Sequence, residues 1–103
     1  MSIKGRPYTN FRGALKTGDL LLIRAAAAEL PTVNLQDALD ICIVVAEKEP
    51  ELFERAALRW LARYCLERRD ANLAGLRQAA DAFAGLTSDR EAALAVLHRL
   101  SRP

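Results

Sequence analysis

Apolar residues recur at three- and four-residue spacing along most of this chain, and no stretch alternates apolar with polar as a strand would. Phe11 and Leu15 predict a short helix over about 9–17, with Gly18 just past its end and Asp19 placed to cap the next. That second helix runs through LLLIRAAAAEL and stops at Pro31, which disfavours helical geometry at Leu30. Asn34 opens a third. Leu35, Ala38, Leu39, Ile41, Cys42, Val45 and Ala46 form its apolar stripe, and Gln36, Asp37, Asp40 and Glu47 share the opposite, solvated side. Pro50 suits the first turn of a fourth helix reaching about Arg68. Its Leu52, Phe53, Ala57, Leu58, Trp60, Leu61, Tyr64, Cys65 and Leu66 cover most of the circumference, which predicts the central helix of the fold. A polar turn from Arg69 to Asn72 precedes a fifth helix over Leu73–Ala84, closed by Gly85. Ser88 with Glu91 reads as a capping box opening a sixth, to about Leu100.

Three of these helices share a phrase: RAAAAEL from Arg24, RAALRWL from Arg55 and EAALAVL from Glu91. The offsets of 31 and 36 residues place it on the second helix of each of three successive hairpins. A helical-hairpin repeat of that size predicts an all-α fold of three helical hairpins, stacked as a short HEAT-like α-solenoid. The fallback is a compact six-helix bundle. Residues 1–8, with Gly5 and Pro7, read as an extended, flexible basic arm, and 9–103 as a single all-helical domain.

Composition agrees with helix: Ala and Leu abound, and only six residues are aromatic. The net charge of +2 hides an asymmetry. Residues 1–18 carry Lys4, Arg6, Arg12 and Lys16 and no acid, whereas the remainder carries 11 bases against 13 acids. A body without basic excess argues against a nucleic-acid-binding domain. The alternative is a nucleic-acid-associated regulator whose contacts come from Lys4, Arg6, Arg12 and Lys16 together with an arginine stripe. The longest apolar run, Ile41 to Ala46, is far short of a membrane span, and the two early bases have no hydrophobic signal core behind them. These features lead to the expectation of a cytoplasmic protein. Cys42 and Cys65 both fall on apolar helix faces and are expected as buried free thiols.

Residues that carry chemistry are scattered. Ser2, Ser88 and Ser101 sit in the arm, in a helix cap and at the end of the last helix, outside any nucleophile turn. His98 is the sole histidine and is expected as an exposed or half-buried helix residue. The reading is therefore non-enzymatic, with no cofactor and no metal.

What remains is a stripe. Arg55, Arg59 and Arg63 are spaced i, i+4, i+8, and Arg24 and Arg99 sit at matching repeat positions. Together they predict the contact surface of a protein-interaction or adaptor module, its partner another protein or a second copy of the chain. The competing reading places Glu51–Arg55 and Arg63–Glu67 as ion pairs on a solvated face. Trp60 and Tyr64, also i, i+4, are expected in the core. A helix-turn-helix over helices two and three is disfavoured, because Asp37, Asp40 and Glu47 would face DNA phosphates.

The run FRGALKTGDLLLIRAAAAELPTVNLQDALDICIVVAEKEPELFERAALRWLARY resembles a type of short, uncharacterised all-helical protein found in actinobacteria. The resemblance implies a bacterial, cytoplasmic origin and brings no functional residues with it.

Overall fold

Four side-chain caps divide the chain. Asp19 accepts the backbone N–H groups of Leu21 and Leu22, and Asn34 that of Asp37 at 2.8 Å. Asn72 accepts that of Gly75 at 2.8 Å, and Asp89 that of Ala92 at 3.1 Å. Each satisfies a donor that the first turn of a helix leaves open. The computed structural model describes residues 5–103, and among these the helices are α1 (Gly5–Thr17), α2 (Leu20–Ala28), α3 (Leu35–Lys48), α4 (Pro50–Glu67), α5 (Leu73–Ala84) and α6 (Arg90–Ser101). The all-α expectation holds.

Boundaries differ in three places. Helix α1 begins at Gly5, so residues 5–8 are helical rather than an extended arm. Pro7 lies in the first turn, where its missing N–H costs nothing, and Thr9 Oγ1 donates to the Gly5 carbonyl at 2.6 Å. Lys4 and Ser2 lie outside the described residues. The cap of α6 is Asp89, not Ser88. Gly85 closes α5 by donating to the Asp81 carbonyl at a negative φ, whereas Gly18 takes the left-handed conformation, at φ 69°.

The helices pair as three hairpins, α1 with α2, α3 with α4 and α5 with α6. The third hairpin does not continue a stack. Helix α5 packs on α4, and α6 turns back onto α3. Arg90 bridges to Glu47 and His98 lies 3.6 Å from Asp40, which fixes α6 antiparallel to α3. Helices α3 to α6 thus close a ring around one core, with α4 and α6 on its diagonal. In a solenoid those second helices would stand side by side. The arrangement is the compact six-helix alternative.

The ring core is built on Trp60, 1% exposed, whose Nε1 donates to the Leu35 carbonyl at 2.9 Å. Its ring stacks on Tyr64 with centroids 5.7 Å apart and meets Phe83 edge-on at 5.5 Å. Gly75 lets α5 approach, since a Cβ there would collide with Tyr64 Oη. The α1–α2 hairpin docks on α3 through a second cluster of Phe11, Leu20, Ile23 and Val45.

Helix α3, rather than α4, is central. It packs on α2, α4 and α6, and Arg12 of α1 reaches it as well. The apolar residues spread around α4 include Leu52, Leu58 and Leu66, and all three are exposed.

Candidate functional surface

Two arginine environments result from this packing. Arg12 donates to Asp37 at 2.9 Å and to Asp40 at 3.1 Å, so a base expected to meet nucleic acid is spent on binding α1 to α3. The bond to Asp40, with Asp37 close by, pushes the Arg12 pKa further up. Asp37, expected on a solvated face, is only 4% exposed. Arg6 and Lys16 are exposed. The carboxylates of α3 are engaged by α1 and α6, Asp37 and Asp40 by Arg12 and Glu47 by Arg90, so this side of α3 faces other helices rather than a DNA groove.

Beside this lock lies a cleft of about 290 Å³, lined by Tyr8, Leu30, Pro31, Thr32, Asn34 and Asp37. Burial, and then the Asp37 carboxylate, push the Tyr8 phenol up, so it stays protonated and able to donate. The one carboxylate here is already compensated by Arg12, which makes the cleft part of the lock rather than an open charge.

The arginine stripe behaves differently. Arg24 donates to Glu49 at 2.8 Å, just before α4 begins. Arg63 donates to Glu67 at 2.6 Å and to the Val33 carbonyl at 2.7 Å, holding the Glu67 carboxyl below the usual carboxylate range. These two ties join the middle of α2 to the start of α4, and the loop after α2 to the last turn and a half of α4. Between them Arg55 and Arg59 are exposed and make no side-chain hydrogen bond or ion pair among the described residues. The Glu51–Arg55 pair suggested by spacing does not form, whereas Arg63–Glu67 does. Arg99 leaves the group. It lies on α6, diagonal to α4, and donates to Gln78 of α5 at 3.0 Å.

Exposed leucines accompany the free arginines. On α4, Leu66 is 86% exposed and Leu52 is also open, and on α2 Leu21 lies one turn before Arg24 and is 77% exposed. Cys65 is exposed beside Leu66, against the expectation of burial. Cys42 is buried as expected, and burial pushes its thiol up to about 11. On its other flank α4 forms an apolar groove with α5 of about 210 Å³, lined by Phe53, Glu54, Ala57, Leu58, Leu61, Ala80, Phe83 and Ala84.

Sequence reasoning found the stripe but not the lock or the groove. Tyr8 with Arg12 and Asp37 with Asp40 are complementary one-turn pairs on separate helices, and that pairing was the available signal. Compared with family models, curated proteins and solved structures, the chain has no match. No helix among the described residues is long and apolar enough to cross a membrane.

Proposed function

We propose that this chain is a non-catalytic protein-interaction module whose contact surface is the outward face of α4 with the adjoining edge of α2. The observation that carries the reading is the state of Arg55 and Arg59. They are the two members of the stripe with no side-chain hydrogen bond or ion pair among the described residues, and they share the outer side of α4 with Leu52 and Leu66, both exposed. Unpaired arginines flanked by solvated leucines form a strip that is cationic in the middle and apolar at its ends, which suits a protein partner offering carboxylates and leucine-sized apolar groups. Arg24 and Arg63 are held by their own acids and frame the surface rather than supply free charge. The internal pairing of Arg12 weakens the nucleic-acid alternative, because one of the four bases it requires is already neutralised.

Recovery from nuclease-treated lysate of the native host tests the proposal. The wild-type chain is expected to retain one stoichiometric protein, and Arg59→Glu to lose it with its helix content unchanged. Retention that nuclease abolishes, or that Arg59→Glu leaves intact, contradicts the reading.

A further inference from the structure

The outer seam between α5 and α6 is a second groove, of about 380 Å³, lined by those two helices and their loop alone. Its floor is made of small residues. Ala82 and Ala93 are 8% and 5% exposed, and Gly85 and the exposed Ala92 lie beside them. A floor of this size lets a third helix lie close against both, with its own larger side chains entering the groove. Charge is distributed unevenly along the walls. Asp81 on α5 and Asp89 at the start of α6 are exposed and have no ion pair among the described residues. Asp89 caps α6 through Oδ1, and its Oδ2 makes no hydrogen bond among the described residues. The Asp89 N–H donates to the Gly85 carbonyl at 2.9 Å, which sets Asp89 level with the end of α5. Asp81 lies four residues before Gly85, about 6 Å back along α5 at 1.5 Å per residue. The two carboxylates therefore flank the groove from opposite walls, about one helical turn apart. At the far end Arg99 donates to Oε1 of Gln78, a residue of the groove, at 3.0 Å. The acidic half thus lies at the α5–α6 loop, and a cation marks the other end.

We propose that this groove docks an amphipathic helix of a partner protein, one with a ridge of leucine-sized residues and with lysine or arginine on both flanks. The small-residue floor takes the ridge, in the manner of a helix laid in a groove. Asp81 and Asp89 take the cations on either side of it, and they select such a helix over an acidic one. The α4 face makes the reverse demand, since Arg55 and Arg59 suit carboxylates. The chain therefore presents two surfaces of opposite charge preference.

Titration of the isotope-labelled chain with two synthetic peptides of about 14 residues, followed by amide NMR shifts, provides the test. Both peptides carry the same leucine ridge; one has lysine on its flanks and the other glutamate. The lysine peptide is expected to shift the amides of Ala82, Gly85, Ala92 and Val96, and to bind there about tenfold or more tightly than the glutamate peptide. Asp81→Lys should weaken the lysine peptide about tenfold or more, with the amide spectrum as dispersed as in the wild type. Ala92→Gln, which puts a longer side chain into the groove, should weaken it as well. Absence of these shifts at millimolar lysine peptide overturns the proposal. So does equal binding of the two peptides in the groove, or an affinity indifferent to Asp81→Lys. Shifts of the same amides on raising the protein concentration alone would assign the groove to a second copy, and overturn it too. Arg59→Glu leaves the groove untouched, so this assignment and that of the α4 face can each fail alone.

Discussion

Helices α3 and α4 belong to one hairpin and have similar amphipathic sequences, yet they end in opposite situations. Each charged group that α3 turns toward its neighbours finds a partner there: Asp37 and Asp40 meet Arg12, Glu47 meets Arg90, and His98 stands near Asp40. Helix α4 buries Ala57, Trp60 and Tyr64 on one side and leaves Leu58, Leu66, Arg55 and Arg59 on the other without a partner among the described residues. The difference is one of position in the ring. Helix α3 has helices on three sides and α1 reaching in, whereas α4 has its outer surface open. An apolar residue on α3 is thus packed against a neighbouring helix, whereas an apolar residue on the outside of α4 faces solvent.

Substitutions should separate the two helices by stability. Leu39→Ala on α3 removes a fully buried side chain and is expected to cost about 2–5 kcal/mol, read as a lower midpoint in urea. Arg12→Ala strips the partner from the nearly buried Asp37, and a loss of about 1–3 kcal/mol is expected from the same titration. On the outer side of α4, Leu66→Ala and Arg59→Glu should change stability by no more than about 0.5 kcal/mol. A large loss there would mean that α4 is held from a side that the structure leaves open.

Thiol chemistry makes the same distinction on a finer scale. A disulfide reagent at pH 8 should label one thiol, Cys65, and reach Cys42 only after unfolding. The raised Cys42 pKa adds a pH dependence whose sign is fixed. The folded state holds the neutral thiol, so stability is level below the ordinary value of 9.0 and falls as pH rises from there to about 11. Cys42→Ala should flatten that decline.

Much of this architecture was legible locally. Asp19, Asn34 and Pro50 announce helix starts through chemistry confined to one turn, and each appears where expected. The core placement of Trp60 and Tyr64 also follows from their spacing and their leucine-rich surroundings. The stacking of the hairpins was not legible. The repeated RAALRWL-like phrase does not say how the hairpins meet, whereas closure of the ring rests on packing of α6 against α3 across long sequence separations, with Ala93 and Leu97 in one core with Leu39. Cys65 was misplaced for a related reason. When apolar residues surround a helix, periodicity no longer says which side faces out. The burial of Asp37 escaped notice because the pattern of α3 alone contains no sign that α1 brings Arg12 over it. Of the five arginines of the stripe, the sequence located Arg55 and Arg59 on a common face, but only packing shows which of the others are engaged.

The central claim is that the outer face of α4 binds a partner, and site-specific photo-crosslinking in the native host tests it most directly. A photoreactive residue replaces Leu66 in one variant and the exposed Ala95 of α6 in another. The account predicts a single discrete protein adduct from position 66, lost when Arg59→Glu is added, and none from position 95. Equal labelling from both positions, or an adduct from 66 that survives Arg59→Glu, would contradict it.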